Sequence, residues 1–159
     1  MVQGNMQLTK ILLPSAVRVL GHLSSKKRLF QELGDLAATA YGLSGSDVTD
    51  ALQERESLGP TGVGHGVALP HARLPGVRSV LGAFVQLERP LDFDAVDRQP
   101  VDLVFALFAP EDSGVDHLKA LALVSRTMRD TTLCAKLRAN HDPSTLHALL
   151  TGSTAIQAA

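Results

Sequence analysis

The sequence predicts an α/β domain with a mixed or parallel sheet and helices on both faces. Three observations lead there. Strand-sized apolar runs alternate with segments whose apolar residues recur at helical spacing. Residues 101–108 are almost continuously apolar, as in a central strand covered on both faces. Residues that start and stop helices punctuate the rest: Ser24-Ser25, Gly42, Ser44, Asp130, Asp142-Pro143 and Gly152.

Taken in order, residues 1–16 form a lead-in and residues 17–20 a first strand. A helix follows Ser24-Ser25, with Leu29, Leu33, Leu36, Ala37 and Ala40 on one face, and Gly42 ends it. Lys26, Lys27 and Arg28 in its first turn read as a solvated face or a partner contact. Ser44 with Asp47 caps a second helix running to about Ser57. Residues 67–69 make a short strand ending at Pro70, and residues 72–78 read as a polar loop. Residues 80–87 form a strand followed by Pro90, and residues 93–100 a loop. Ser113 with Asp116 reads as a cap for the helix that carries His117 in its first turn. Short helices over residues 132–139 and after Asp142 complete the chain, with His22, His141 and His147 at the surface.

The 159 residues suit one domain, expected over 8–152, with flexible ends at 1–7 and 153–159. The core must be aliphatic, because aromatics are scarce and Trp is absent. A net charge of −1 gives no basic footprint for nucleic acid. Cys134 is alone and has no internal disulfide partner, which fits a reducing compartment. No CxxC or HExxH metal pattern occurs. The opening residues do not read as a secretory signal, and no apolar run reaches membrane-spanning length. A cytoplasmic setting without membrane insertion is expected.

The chemistry concentrates in residues 59–73. Gly59, Gly62, Gly64 and Gly66 surround His65, and the strand that follows ends in Pro70-His71. The glycines make neither a Walker A loop nor a dinucleotide fingerprint. An imidazole just past a rigid strand end is placed either as an ordinary solvated histidine or as an oriented nucleophile. Arg55 falls on the inward face of its helix beside Val48, Ala51 and Leu52. A cation there needs either a carboxylate or an anionic ligand. His117, at a helix N-terminus that disfavours its protonation, is a packing histidine or a neutral hydrogen-bond donor.

Arg55-Glu56, the glycine loop and Pro70-His71 together resemble the active-site signature of the type-2 enzyme IIA domains of the bacterial phosphoenolpyruvate-dependent phosphotransferase system (EIIA type-2, fructose/mannitol type). The likeness runs from about Leu8 to about Leu150 and is strongest to the nitrogen-regulatory branch. It implies a single domain with a small mixed β-sheet flanked by helices on both faces. It implies that His71 accepts the phosphoryl group, at Nε2, while a backbone carbonyl holds its Nδ1–H. It also implies a second histidine facing the first, at His117, and a small HPr/NPr-like phosphocarrier protein as donor. At His65 the nitrogen-regulatory branch commonly has Asn, so His65 either touches phosphate or fills a turn.

Phosphoryl transfer needs an oriented nucleophile, a cation, neutral donors and backbone amides. His71, Arg55, His117 and a phosphate-cradling loop of Gly62, Gly64, His65 and Gly66 supply that set without a metal or cofactor. A protein donor must reach the imidazole, so the surface around His71, including Arg73 and Arg78, is the expected docking face. Three functions remain open: a regulatory phosphocarrier whose state controls binding to target proteins, a transport component serving a sugar permease, and a non-catalytic anion or metal site built from His65, His71 and His117.

Overall fold

The computed structural model describes residues 7–152. Of the expected flexible ends at 1–7 and 153–159, residues 1–6 and 153–159 lie outside the described residues. The elements in chain order are α1 (Leu8–Ile11), a 3-10 turn (Pro14–Ala16), β1 (Val17–Leu20), α2 (Lys26–Tyr41), α3 (Gly45–Ser57), β2 (Gly62–Gly64), β3 (Val67–Ala68), β4 (His71–Leu74), β5 (Leu81–Leu91), β6 (Val101–Pro110), α4 (Val115–Met128), α5 (Thr131–Arg138) and α6 (Pro143–Leu150).

The sheet is mixed, with strand order β1-β5-β6-β3-β2 and β4 also paired to β6. β6 is its centre. Residues 103–110 are all buried, and because successive strand residues point to opposite faces, both faces of β6 are covered. β5 runs antiparallel to β6, whereas β1, β3 and β4 join by parallel pairing. Phe84 and Phe105 meet edge-on within this aliphatic core.

β3 and β4 are one extended run broken once. Val67 lies opposite Leu103 and His71 opposite Leu107, so the register with β6 does not shift between them. Pro70 lacks the N–H that a continuous ladder needs, yet its carbonyl still accepts from Leu107 at 2.9 Å. Residues 71–74 are therefore strand, and 72–74 are not the start of the polar loop expected from sequence. His71 and Arg73 point outward while Ala72 and Leu74 are buried, a two-residue alternation too short to stand out. β5 likewise runs through Pro90 to Leu91, with a register shift after Gln86.

The helix ends follow their side chains. Ser25, Ser44, Asp130 and Asp142 each accept a hydrogen bond from the amide three residues on, and Gly42 closes α2 at φ +71°. Ser113 differs from expectation: Gly114 occupies the cap of α4 and Ser113 donates back to the Pro110 carbonyl. Lys26 is not a free surface charge. It pairs with Glu56 at 2.8 Å and Asp94 at 3.5 Å and lies over the ring of Phe93. His147 is half-buried, its Nε2 bonded to the Leu12 carbonyl, and His141 Nδ1 meets the buried Gln86 side chain. Tyr41 ties the chain's start to the sheet: its hydroxyl accepts from the Leu13 amide and sits against the Ile11 and Gly82 carbonyls.

Candidate functional site

The end of α3, the start of β4 and the first turn of α4 converge on an open groove of about 490 Å³. Arg55, His71, Arg73 and His117 line it, with Glu54, Leu58 and Leu118.

His71 is half-buried, and its Nδ1 lies 3.0 Å from the Leu69 carbonyl. A carbonyl only accepts, so Nδ1 carries the proton and Nε2 keeps its lone pair. The Leu69 carbonyl is itself fixed by Pro70 on one side and by the Leu69 amide, bonded to Thr61 O at 2.9 Å, on the other. Glu56 holds Thr61 in turn: it accepts from the Thr61 amide at 3.1 Å and the Thr61 hydroxyl at 2.6 Å. The buried carboxylate has Lys26 as counter-charge. A chain of contacts from α2 through α3 thus sets the imidazole's orientation.

His117 is 6% exposed, and its ring stands edge-on to His71 with centroids 5.6 Å apart. Burial holds its pKa below the usual histidine range, and the positive character of His71 and Arg73 pushes the same way. The Arg73 Nε–H donates to its Nδ1 at 3.3 Å. The ring proton therefore sits on Nε2, a buried atom without a hydrogen-bond partner among the described residues. An unpaired buried donor costs about 1–3 kcal/mol, which an incoming acceptor would relieve.

Arg55 reaches back with Nη1 to the Gly59 carbonyl at 2.9 Å, and it forms no ion pair among the described residues. The carboxylate partner considered from sequence is thus not what holds it; Glu56 turns to Lys26 and Thr61 instead. The guanidinium keeps donors for an anion in the groove.

Residues 10–153 match the family model described as phosphoenolpyruvate-dependent sugar phosphotransferase system, EIIA 2. The chain belongs to the EIIA 2 family. Among its relatives, a nitrogen regulatory protein of Bradyrhizobium diazoefficiens is 45% identical over 145 residues, covering 91% of this chain and 95% of that protein. A nitrogen regulatory protein of Escherichia coli is 41% identical over 147 residues, covering 92% and 90%. The crystal structure of the nitrogen regulatory protein IIA-Ntr from Neisseria meningitidis superposes with a TM-score of 0.82 at 39% identity, covering 91% and 99%. The mixed sheet and its flanking helices are thus the EIIA 2 fold.

In this EIIA 2 chain the glycine loop does not cradle the groove. Gly64, His65 and Gly66 form the tip of the β2–β3 hairpin, and the Gly66 carbonyl accepts from Asp102 and Leu103, at the far end of β6 from Leu107. Five residues of extended chain, about 16 Å, separate Gly66 from His71. Gly62 packs instead against Phe93 and Ala95, where an added Cβ would lie 2.9 Å from the Ala95 Cβ. His65 is exposed and takes φ +57°, with Gly66 at +79°, the geometry of a two-residue hairpin turn. The His65 amide donates to Asp97, holding that carboxyl below the usual range, and its carbonyl accepts from Arg138. Histidine shares with asparagine a tolerance for this left-handed backbone. The set of His65, His71 and His117 does not converge, and the described residues contain no group of three or more His, Cys, Asp or Glu suited to a metal ion. Arg78 lines a different cavity, with Lys10 and Asp116. No helix of the described residues is long and apolar enough to cross a membrane.

Sequence reasoning placed Arg73 only on a docking face; the structure sets it against His117. Its two-residue spacing from His71 was the available signal, since it puts both on one strand face.

Proposed function

We propose that this chain is a regulatory phosphocarrier: His71 accepts a phosphoryl group from the phosphohistidine of a small HPr/NPr-like carrier protein, and its phosphorylation state controls binding to target proteins. One observation carries the reading: a histidine with Nδ1 tied to a backbone carbonyl stands beside a buried histidine whose Nε2–H has no partner. The free Nε2 lone pair of His71 attacks phosphorus. The donor's P–N bond breaks and its electron pair returns to the donor imidazole. The Leu69 carbonyl supports the positive character that His71 gains. Arg55 and the His117 Nε2–H stabilise the phosphoryl oxygens, as positioning and charge stabilisation suffice for transfer of this kind.

The groove has an apolar rim suited to a protein donor. Leu58 is 81% exposed, Leu118 66% and Val115 63%, at the ends of α3 and α4 that flank the two histidines. The relatives' nitrogen regulatory names set regulation ahead of sugar transport.

The test is phosphorylation with phosphoenolpyruvate and the two upstream general proteins of the system, on wild type and His71→Ala. A base-stable, acid-labile phosphate absent only from His71→Ala is expected. No phosphate on the wild type, beside a working upstream control, would overturn the reading. Onward transfer to the IIB domain of a fructose- or mannitol-type permease would move the chain to transport.

A further inference from the structure

We propose that Arg73 is a positioning residue for the transfer step, holding His117 as the neutral Nε2–H tautomer so that its single N–H serves the phosphoryl group on His71. The inference rests on the phosphocarrier reading and adds a residue to it. Neutral imidazole has two tautomers, and only one presents a donor at Nε2. The Arg73 Nε is always a donor, so its bond to Nδ1 selects that tautomer. The same bond opposes protonation, because an imidazolium would set N–H against N–H. That matters when charge arrives: a dianionic phosphoryl on His71 draws a proton onto its neighbour, and a protonated His117 would hold the phosphate as an ion pair rather than release it to the next acceptor.

The surroundings leave this to Arg73. His71 faces His117 from the same strand, Glu54 and Arg55 line the groove from α3, and Asp116 and Lys119 neighbour it on α4. Among these groups only Arg73 hydrogen-bonds the His117 ring. Arg73 is exposed and its side chain forms no other hydrogen bond or ion pair among the described residues, so its replacement leaves the core untouched.

The experiment uses the full chain labelled with 15N, wild type, Arg73→Met and Arg73→Lys. Two-bond 1H–15N correlation reads the His117 ring across pH about 5 to 9, and phosphoryl transfer from the carrier is timed over the same range. Wild type should show Nε2 protonated and Nδ1 bare. Arg73→Met should mix the tautomers, move the His117 titration upward and slow transfer from the carrier severalfold above that titration, where the ring is neutral and part of it turns a bare Nε2 to the phosphoryl group; below it the imidazolium again offers Nε2–H. Arg73→Lys, which retains a charged donor, should restore the tautomer. A wild-type ring protonated at Nδ1, or an Arg73→Met chain with unchanged tautomer and pH profile, would overturn the proposal. Because the tautomer is read before phosphorylation, the two readings fail separately. A correct tautomer with no phosphate on His71 removes the phosphocarrier reading and the purpose given to Arg73. Normal phosphorylation with an unmoved tautomer removes Arg73 alone.

Discussion

Gly66→Ala separates a glycine that touches phosphate from one that shapes a hairpin. At Gly66 the backbone has φ +79°, and an added Cβ would lie 2.5 Å from Arg138 Nη2 and 3.0 Å from Asp102 Oδ1. The left-handed backbone costs an alanine about 1–2 kcal/mol. The intruding methyl also displaces the Arg138 guanidinium, which bonds the His65 carbonyl at 2.9 Å and pairs with Asp102 at 2.9 Å. The lost carbonyl bond contributes about 1 kcal/mol. The ion pair, with its arginine more than a third exposed, adds at most about 1 kcal/mol after solvent screening. The sum is about 3 kcal/mol, a fall in Tm of roughly 6–12 °C for a chain of this size. Thermal unfolding followed by circular dichroism measures it. Phosphorylation of His71 at a temperature where the variant is folded should stay within about twofold of wild type, because the hairpin tip and His71 sit at opposite ends of β6. A variant with normal Tm that is no longer phosphorylated would refute the reasoning and return the glycines to the phosphate.

Three further outcomes follow from the same geometry. With its folded pKa below the ordinary 6.5, His117 binds fewer protons than in the unfolded chain as pH falls through that value; its share of stability is complete above 6.5 and lost as the pH drops toward its folded pKa, so urea midpoints of His117→Gln should show a shallower acid-side decline than wild type. Glu56→Gln should destabilise the chain by about 1–3 kcal/mol in urea, since it uncouples Lys26 and weakens the hold on Thr61, and His71 phosphorylation should slow with it; unchanged stability would show that the carboxylate does not brace the loop. Leu118→Asp should lower kcat/KM for the carrier about tenfold through KM, with Tm within about 2 °C of wild type, because its side chain is largely exposed; an unchanged KM would remove the α4 rim from the docking face.

What could be read in advance was what single residues dictate. Ser44, Asp130 and Asp142 start their helices by a local side-chain bond, and Gly42 stops one by a local φ, so the four ends stood in the sequence. β6 was visible because its burial on both faces leaves an unbroken apolar run. Arg55, His71 and His117 were named on residue type and the resemblance, and the fold does bring them into one groove. The glycines misled because a hairpin tip and a phosphate loop use the same residue for the same reason, freedom of φ, and only pairing partners tell them apart. Pairing was also what hid β4 and the extension of β5: the partners of β4 lie 36 residues on, as His71 with Leu107, and the end of β5 pairs only past a register shift. Arg73 was legible only as part of a docking face, because its acceptor, His117, lies 44 residues on.

Tyr41 gives the molecule an optical property. It is the sole tyrosine of a chain without tryptophan, so ultraviolet emission arises from one ring at one place. Its hydroxyl rests on the Gly82 carbonyl, and Gly82 shares a cross-strand row with Leu107 and His71. That row spans about 10 Å from Gly82 to His71. Burial, the largest influence on the phenol, raises its pKa, so conversion to tyrosinate in alkali lags behind that of a free tyrosine for as long as the junction of α1, α2 and β5 stays closed. The native protein thereby carries an intrinsic fluorophore wired to the row that ends in its nucleophile, and emission recorded during phosphoryl transfer reports, without any label, whether the chemistry at the groove is felt two strands away.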